Sequence, residues 1–310
     1  MRAIVTGGAG FIGSHVVDAL VARGDDVLVL DDLSTGRPER VNPRARFVEA
    51  DVRDAAAVDT AFHEAGAEAA FHLAAQADVR VSVEDPGRDC EVNVVGTIRI
   101  LEAARRHGAQ VVFSSTGGAI YGECEEPAPE TAPRQPLSPY GASKLAGEEY
   151  LATYNRLYRT SHVSLRYGNV YGPRQDPHGE AGVVAIFLGR LARGEPARIY
   201  GDGRQTRDYI YVGDVVAATL ASLGRPGGVF NVGTGRETSV LELAAACARV
   251  TGVDLEPTFA PARLGELQRS VLDPGLAERE LGFQAATDVD AGLAETWRWV
   301  QEGDGAGGAN

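Results

Sequence analysis

The sequence is poor in the residues that build disulfide frameworks, metal sites and membrane spans. Its 310 residues include three cysteines, Cys90, Cys124 and Cys247, which lie far apart and form no CxxC pair near clustered histidines. We therefore expect no disulfide network and no bound metal. No run of about 18 apolar residues is present, so no transmembrane helix is expected. The start of the chain lacks the basic and apolar regions of a signal peptide, which predicts a cytoplasmic protein.

Positive charge is also scarce, and lysine is almost absent. The formal net charge is −13, which argues against nucleic acid as a partner because phosphate backbones are bound by basic surfaces. Of the 30 lysine and arginine residues, only Lys144 is a lysine. Because this chain uses arginine wherever a generic cation suffices, Lys144 indicates a position where a compact ammonium is needed.

Short apolar runs alternate with helical patterns through the first half of the chain. The runs are expected to be strands at 2–6, 26–30, 46–50, 69–73, 110–114 and 162–166. The intervening helices are expected at 12–23, 55–65, 91–107 and 140–158. Apolar strands separated by helices are typical of a parallel sheet covered on both faces. The pattern predicts an α/β protein with a doubly wound, Rossmann-type sheet.

After residue 167 glycine and proline become frequent and the alternation loosens. We expect a dinucleotide-binding Rossmann domain over 1–167 and a smaller, mainly substrate-binding lobe over 168–301, with elements near 207–235 returning to the sheet. The further elements expected in this half are helices at 181–193, 214–223 and 239–251 and strands at 197–200 and 229–232. The glycine-rich segment 302–310 is predicted to be a disordered tail.

A glycine-rich turn directly follows the first predicted strand. Gly7, Gly10 and Gly13 have the spacing that permits a tight turn, a close approach to a pyrophosphate and close packing of helix on strand. The helix that follows offers its free N–H groups to phosphates. Asp31 stands at the end of the second predicted strand, where a carboxylate accepts hydrogen bonds from the adenosine ribose and repels a 2′-phosphate. This pattern predicts NAD as the cofactor rather than NADP.

A tyrosine and the single lysine define a candidate catalytic pair. Tyr140 and Lys144 are four residues apart on a predicted helix and therefore share a face. A free tyrosine has a pKa near 10, and a neighbouring ammonium together with the positive nicotinamide ring favours the phenolate. Tyr140 is then able to take a proton from a substrate hydroxyl. A hydroxyl from Ser115 or Thr116, where the fifth predicted strand ends, is expected to bind the same group.

The motifs occur in an order that resembles the extended short-chain dehydrogenase/reductase family, the NAD-dependent epimerases and dehydratases. They are TGGAGFIGS, HLAAQ, NVVGT, SSTGGAIYG, YGASK, LRYGNVYGP and GDGRQTRDYIYV, and they span roughly residues 1–300. Within the family they are most similar to the motifs of bacterial UDP-glucose 4-epimerases. The resemblance implies an isomerase that interconverts UDP-glucose and UDP-galactose through a 4-keto sugar. It also implies a homodimer formed by the helices near 91–107 and 140–158.

The resemblance assigns roles residue by residue around the cofactor. Tyr140 would deprotonate the sugar 4-hydroxyl, and Asn93 is similar to an asparagine that supports the active-site backbone. Tyr167 is similar to a residue that packs near the nicotinamide, and an acid after strand three would reach the adenine. The NAD contacts predicted in this way are Gly7, Gly10, Phe11, Ile12, Gly13, Asp31, Asp32, Ser34, Gly36, Asp51, Val52, Leu73, Ala74, Ala75, Gln76, Asn93, Ser114, Tyr140, Lys144 and Tyr167.

The resemblance also predicts the residues that hold the UDP-sugar. Asn169, Arg207 and Arg263 are similar to diphosphate ligands, and two arginine forks suit a diphosphate because each donates two hydrogen bonds. Glu266 is similar to the acid that holds the nucleotide ribose, and Tyr200 is placed to stack on the uracil. Thr116 or Ser115 is similar to the family's helper hydroxyl on the sugar side, because the glycine pair that follows leaves two alignments that differ by one residue.

Alternative functions are distinguished by single positions. Ser270 stands where related epimerases limit the sugar pocket, and its small size leaves UDP-N-acetylglucosamine open as a substrate; UDP-glucuronate also stays open. A 4,6-dehydratase needs an acid pair after the serine-threonine run, and here that pair is Gly117-Gly118. A non-catalytic NAD-binding protein would not need Tyr140 and Lys144 together.

Overall fold

A seven-stranded parallel sheet forms the centre of the computed structural model, which describes residues 1–177, 182–253, 255–262 and 267–303. The strands of the described chain are β1 (Arg2–Thr6), β2 (Asp26–Asp31), β3 (Arg46–Glu49), β4 (Ala69–His72), β5 (Gln110–Thr116), β6 (Val163–Tyr167), β7 (Asn169–Tyr171), β8 (Arg198–Tyr200), β9 (Thr206–Arg207), β10 (Tyr209–Tyr211), β11 (Gly228–Val232), β12 (Thr238–Ser239), β13 (Thr258–Ala260) and β14 (Arg269–Ser270). The central sheet has the order β11-β6-β5-β4-β1-β2-β3, which confirms the doubly wound Rossmann class.

Helices cover both faces of the sheet and build the smaller lobe. They are α1 (Phe11–Arg23), α2 (Ala55–Ala65), α3 (Val79–Glu84), α4 (Pro86–Cys90), α5 (Gly96–His107), α6 (Gly117–Ile120), α7 (Pro139–Tyr158), α8 (Val183–Ala192), α9 (Val212–Ala221), α10 (Val240–Thr251), α11 (Gly275–Leu281) and α12 (Val289–Gln301). No helix within the described ranges has both the length and the apolar character of a membrane span.

The apolar strands are buried on both faces because helices pack against each side. In β1, Ala3 and Val5 lie in the core shared with α1 and α9, whereas Ile4 lies in the core shared with α2 and α5. Alternate side chains of a strand point to opposite faces, so a run that is apolar at every position suits a strand covered on both sides. A third core joins α8, α10 and α12 in the smaller lobe.

Two regions differ from the sequence-based expectation. The helix predicted over 91–107 begins with a π-helical turn, Glu91–Val95, and two short helices precede it. The smaller lobe contains six strands of two or three residues, β7, β9, β10, β12, β13 and β14, that were not predicted. Strands this short carry no readable apolar alternation, so their pairing depends on contacts distant in sequence.

The second half of the chain returns to the sheet through β11. This strand pairs in parallel with β6, with Phe230 opposite Leu165. The expected return of elements near 207–235 corresponds to α9 and β11 in the structure. The tail segment 304–310 lies outside the described residues.

A buried ion pair joins β6 to α7 at the edge of the site. Arg166 and Glu148 are each only 2% exposed. The Arg166 guanidinium donates from Nε to Glu148 Oε1 at 2.9 Å and from Nη2 to Oε2 at 2.6 Å. Its Nη1 donates to the Tyr121 hydroxyl at 2.6 Å, and that hydroxyl donates to Asn231 on β11 at 2.8 Å. The strands β6 and β11 and the segment after α6 are thereby tied to α7.

Candidate active site

The glycine turn after β1 packs so closely against neighbouring backbone that Gly7 and Gly13 have no space for a side chain. Gly7 has φ +71°, and a Cβ there would lie 2.6 Å from the backbone nitrogen of Ala74. A Cβ on Gly13 would collide with the carbonyl of Gly7. The turn therefore lies directly against the segment after β4, and α1 starts close to β1.

The first turn of α1 faces the crevice at the carboxyl end of the sheet. The residue that precedes α1 is Gly10, which has no side chain, and within the described ranges no side chain caps the start of this helix. The N–H groups of Phe11 and Ile12 therefore have no side-chain cap. A helix N-terminus of this kind binds phosphate through its N–H groups and its dipole. Glycine at the closest approach and an uncapped helix start suit the pyrophosphate of a dinucleotide.

Asp31 ends β2 beside this turn and is only 6% exposed. Its Oδ2 accepts a hydrogen bond from the Ala9 N–H at 2.9 Å, and its Oδ1 accepts one from the Leu33 N–H at 2.9 Å. Burial raises the pKa of this carboxyl, while the two N–H groups lower it. A Cβ on Gly36 would lie 2.6 Å from Oδ1. The loop therefore folds back on the carboxylate and leaves a compact acid of the kind that binds an adenosine ribose.

Other predicted cofactor residues near this loop are already engaged within the protein. Ser34 donates from its hydroxyl and its N–H to Asp32 Oδ1, at 2.6 and 3.0 Å. Asp51 is held by Arg53, whose Nη2 lies 2.6 Å from Oδ2. The side chain of Val52 is buried and would touch any Cβ on Gly96 at 2.8 Å. Contacts of these residues with NAD stay predictions.

His72, at the end of β4, links the glycine turn to the helix after it. Thr97 donates to the Asn93 carbonyl at 2.6 Å, so its oxygen accepts from His72 Nε2 at 3.0 Å. His72 Nδ1 then accepts from the Thr6 hydroxyl at 2.7 Å, and the Thr6 oxygen accepts from the Ala74 N–H at 3.3 Å. Burial lowers the pKa of His72 to about 3, and the charge of Lys144 lowers it further. The imidazole is therefore neutral, with its proton on Nε2.

Asn93 lies in the π-helical turn and supports the segment that follows β4. Its Oδ1 accepts from the Gln76 N–H at 2.9 Å, and its Nδ2 donates to the Gln76 carbonyl at 2.9 Å. The same Nδ2 donates to Asp89 at 3.0 Å and to the Ser143 hydroxyl at 3.1 Å. Ser143 in turn donates to the Tyr140 carbonyl at 3.0 Å. Asn93 thus connects the predicted cofactor segment to the first turn of α7.

Leu73 and Ala75 flank the residue that touches the glycine turn. The Leu73 N–H donates to the Thr6 carbonyl at 3.1 Å, which extends the β1–β4 pairing by one residue. Ala75 lies between the Ala74 contact with Gly7 and the Gln76 contact with Asn93. The segment is therefore held close to β1, as a narrow cofactor cleft requires.

Lys144 is buried at the end of β5. It is 3% exposed, and its Nζ donates to the Ser114 carbonyl at 2.9 Å and lies 4.8 Å from the centre of the Phe113 ring. Burial lowers the pKa of Lys144 to about 8, against the opposing influence of Asp89 and Glu148. The side chain is still mostly an ammonium at neutral pH, as a group that favours a neighbouring phenolate must be.

The structure separates the two candidate hydroxyls on β5. Ser115 is 3% exposed and its hydroxyl donates to Glu148 Oε1 at 2.6 Å, away from the crevice. Thr116 is half-buried and pairs with Tyr167 across the end of the sheet. The Ser115 hydroxyl is thus engaged in the protein interior, which favours Thr116 as the hydroxyl that binds the substrate. Both assignments stay predictions.

The start of α7 is packed directly against α6, which follows Thr116. Ser138 caps α7 by accepting from the Gly141 N–H at 3.2 Å, and a Cβ on Gly141 would collide with the Ala119 carbonyl. A Cβ on Gly118 would lie 3.5 Å from Asn169 Oδ1 and 4.0 Å from Thr116 Oγ1. The structure therefore brings the Thr116 hydroxyl and the Asn169 amide together beside Gly118.

Tyr167 belongs to the core at the end of β6. The ring is 4% exposed, and its hydroxyl lies 2.9 Å from that of Thr219 on α9. Thr219 donates to a carbonyl of its own helix, so Tyr167 is the donor between the two. Burial raises the pKa of Tyr167 to about 12. Its contact with a nicotinamide stays a prediction.

Three predicted substrate residues lie on adjoining backbone segments of the smaller lobe. Arg207 on β9 pairs in parallel with Ser270 on β14, and the Asn169 N–H donates to the carbonyl of Asp208 at 2.7 Å. Asp208 is 1% exposed and accepts from Thr234 at 2.6 and 2.8 Å. This buried carboxylate fixes the place where the lobe meets the sheet.

Tyr200 lies on a separate pair of strands. It pairs with Ala260 on β13, and the guanidinium of Arg198 lies 5.5 Å from the centre of its ring. Its carbonyl accepts from Gln205 Nε2 at 3.0 Å, which joins this pair to the segment that leads to Arg207. The predicted ligands Arg263 and Glu266 lie outside the described residues, between β13 and β14.

The buried polar residues that join the elements carrying the candidate site were not identified from the sequence. These residues are Glu148, Arg166, Tyr121, Asn231 and Asp208. A usable signal existed for two of them, because an arginine inside an apolar strand must have a partner when buried. Glu148 lies one helical turn after Lys144 and therefore on the same face. The spacing of Arg166 and Glu148 in the sequence does not predict that they pair, because they lie on different elements.

Comparisons with known proteins agree on one family. Residues 3–233 match the family described as NAD dependent epimerase/dehydratase family. A UDP-glucose 4-epimerase from Mycolicibacterium smegmatis is 50% identical over 305 residues, which cover 96% of this chain and 97% of that protein. The crystal structure of a Thermotoga maritima UDP-glucose 4-epimerase with UDP-glucose has 46% identity and a TM-score of 0.95, covering 97% of this chain and 99% of that one. The Thermus thermophilus enzyme in complex with NAD has 49% identity and a TM-score of 0.92, with the same coverage.

The neutral His72 predicts an acid-sensitive component of stability. The pKa of His72 is about 3 in the folded chain and 6.5 when it is not perturbed. The unfolded chain therefore binds a proton that the folded chain does not, and stability falls as the pH drops from 6.5 towards 3. The expected slope is at most ~1.4 kcal/mol per pH unit. Denaturant titrations give the free energy of unfolding of the wild type and of His72→Gln. The difference between the two should become smaller as the pH falls from 6.5 towards 3.

The matched control is Ser82→Ala, which removes a fully buried hydroxyl that donates to the Val79 carbonyl at 2.6 Å and does not titrate. Its stability difference from the wild type should stay constant over this pH range. A gap between wild type and His72→Gln that stays constant over the same range would contradict a buried neutral imidazole.

Proposed function

The chain belongs to the NAD-dependent epimerase/dehydratase family, and from that premise we propose that it is a UDP-glucose 4-epimerase. It interconverts UDP-glucose and UDP-galactose through a 4-keto sugar. The observation that carries the proposal is the buried Lys144 ammonium, which lies 2.9 Å from the Ser114 carbonyl at the end of β5 and one helical turn after Tyr140. Relatives that bear this activity match nearly the whole chain.

NAD is the cofactor of this family, and the crevice fits it. Gly7 and Gly13 leave no space for a Cβ, and the first turn of α1 is uncapped among the described residues. Asp31, at the end of β2 beside the glycine turn, is assigned to the ribose. Asp31 also disfavours a 2′-phosphate, since a buried acid repels a second negative charge. When bound, NAD accepts the hydride from C4 of the sugar and returns it.

Tyr140 performs the proton transfer in the proposed reaction. Its phenolate removes the proton of the sugar 4-hydroxyl, and its phenol returns the proton when the 4-keto sugar is reduced on the opposite face. Lys144 stabilises the phenolate by its charge. Thr116 donates to or accepts from the same sugar oxygen, because its hydroxyl is the one that β5 directs towards Asn169 and Gly118.

The smaller lobe, mainly residues 168–301, is proposed to hold the UDP group. The Asn169 N–H donates to the carbonyl of Asp208, which directly follows Arg207 in the chain, so Asn169 and Arg207 lie on adjoining segments. Both are assigned to the diphosphate. Arg263 and Glu266 are assigned to the second phosphate contact and the nucleotide ribose on resemblance alone. Tyr200 is assigned to the uracil.

A dehydratase is disfavoured by the residues after Thr116. Elimination of water needs an acid near the sugar C5 and C6, and the corresponding positions are Gly117 and Gly118. A Cβ on Gly117 would lie 2.5 Å from Leu272, so that position has no space for an acidic side chain. Epimerisation needs no such acid.

Tyr140→Phe is expected to abolish epimerisation while leaving the cofactor bound. Removing a general acid–base group costs about 10²–10⁴-fold in rate. The assay incubates the protein as purified with UDP-galactose, UDP-N-acetylgalactosamine or UDP-galacturonate, without added NAD, and separates the C4 epimers by chromatography. The control is Tyr158→Phe, an exposed tyrosine at the end of the same helix, which should retain the wild-type rate.

The wild-type result decides the proposal itself. Conversion of UDP-galactose supports it, and the ratio among the three sugars gives the substrate preference. If the wild type converts none of them even after NAD is restored, the epimerase proposal fails.

A second candidate activity is 4-epimerisation of UDP-N-acetylglucosamine. Ser270 is small, 6% exposed and paired with Arg207, so a larger side chain there would enter the region next to the proposed diphosphate site. Ser270→Tyr should lower the ratio of N-acetylhexosamine to hexose turnover by about tenfold or more. Ser270→Ala, which keeps the position small, should leave the ratio within about twofold of the wild type. An unchanged ratio in a folded Ser270→Tyr variant would rule out this role.

We further propose a homodimer formed by α5 and α7. Tyr150 and Leu157 lie on one face of α7 and are 41% and 66% exposed, which leaves two large apolar side chains on an outward face. Light scattering should give twice the chain mass of 32.7 kDa. Tyr150→Asp with Leu157→Asp should give the single mass, whereas Phe259→Asp, on an exposed apolar residue of the other lobe, should not. A wild type of single mass would contradict the dimer.

A cytoplasmic location is proposed from the thiols. Cys90, Cys124 and Cys247 are all free in the structure, and a reducing compartment keeps cysteines in this state.

A further inference from the structure

Two hydrogen bonds join the end of β5 to α7, one helical turn apart. Lys144 Nζ donates to the Ser114 carbonyl at 2.9 Å. The Ser115 hydroxyl donates to Glu148 Oε1 at 2.6 Å. The Ser115–Glu148 bond is buried and the Lys144–Ser114 bond is partly buried, so the Ser115–Glu148 bond is shielded from competition with water. Together they fix how far α7 is displaced along β5.

The Glu148 carboxylate is itself immobilised. Arg166 binds both of its oxygens through a two-pronged contact at 2.9 and 2.6 Å. The remaining guanidinium nitrogen donates to the Tyr121 hydroxyl at 2.6 Å and to the Glu130 carbonyl at 3.3 Å. A bidentate pair of this kind has one geometry, so Oε1 is presented to Ser115 at a defined place.

We propose that Glu148 is a positioning residue for the reaction assigned above, and that it acts through Ser115. Ser115 is followed by Thr116, and α7 carries Tyr140 two turns before Glu148. The Ser115–Glu148 bond therefore sets the height of the Thr116 hydroxyl against the Tyr140 phenol. Glu148 is enclosed by protein groups and does not touch the sugar. The inference rests on the proposed function, because it concerns the same two hydroxyls.

The charge of Glu148 acts in the same direction. Asp89 and Glu148 are the two carboxylates that oppose the lowering of the Lys144 pKa by burial. Glu148 therefore contributes both to the position of α7 and to the charge state of Lys144. Glu148→Gln is unsuitable as the main test, since it leaves Arg166 without its counter-charge in the core.

Ser115→Ala tests the proposal without removing the ion pair. Glu148 Oε1 keeps its bond from Arg166 Nε, so no buried acceptor is left without a donor. The matched control is Ser222→Ala, because Ser222 is fully buried and donates one hydrogen bond, to the Thr219 carbonyl at 2.8 Å, on α9. We expect kcat with UDP-galactose to fall by about 10- to 100-fold in Ser115→Ala, with KM within about twofold. Ser222→Ala should keep the wild-type kcat while losing a similar amount of thermal stability.

A double variant separates positioning from general damage. If Ser115 acts by placing Thr116, then adding Ser115→Ala to Thr116→Ala should lower kcat by less than about twofold further. Hydrogen exchange should also be faster in peptides from 110–120 and 139–146 in Ser115→Ala, and unchanged there in Ser222→Ala. A wild-type kcat in Ser115→Ala, or two losses that multiply in the double variant, would overturn the proposal.

The two levels of inference fail differently. A wild type that converts no UDP-sugar overturns the proposed function, while the hydrogen-exchange comparison still tests whether Glu148 positions β5 against α7. An active wild type with unaltered exchange in Ser115→Ala overturns only the positioning role.

Discussion

The arrangement of β5, β6 and α7 depends on the buried Arg166–Glu148 salt bridge. This salt bridge stabilises the fold only when all of its hydrogen-bonding groups have partners. Moving a guanidinium and a carboxylate out of water costs several kcal/mol for each ion, and their attraction offsets this only with good geometry and no unused hydrogen-bonding group. Arg166 and Glu148 meet that requirement through Ser115, Tyr121 and the Glu130 carbonyl. Since these partners come from different elements, the pair forms only when all of them are in place.

The smaller lobe is attached through a second buried carboxylate, which is held by neutral hydrogen-bond donors. Asp208 is a buried carboxylate that accepts from the backbone and hydroxyl of Thr234 and from the Gly235 N–H. Burial raises the pKa of Asp208, and these donors oppose the increase. Its backbone holds Asn169 and Ser270 on either side. Two buried acids therefore hold the surroundings of the candidate site, Glu148 on α7 and Asp208 where the smaller lobe adjoins the sheet.

Local spacing is the basis on which the candidate catalytic and cofactor residues are predicted. Three glycines after a strand, an acid at the end of the next strand, and Tyr140 four residues before Lys144 are patterns set by the chain itself. The sheet class followed from strands that are apolar at every position. The partner of the Ser115 hydroxyl was not predictable from spacing, because Glu148 is 33 residues away in sequence. The short strands of the lobe were missed for a related reason, since their pairing is decided by distant partners.

The single tautomer of His72 has a consequence for the movement of protons. From the Ala74 N–H through Thr6, His72 and Thr97 to the Asn93 carbonyl, every donor points the same way. Such a chain ends on an amide oxygen, which is far too weak a base to hold a proton, and its imidazole resists protonation. This hydrogen-bond chain therefore does not conduct protons. It ties the end of β1, the segment after β4 and the π-helical turn together without placing a group that titrates near neutral pH among them.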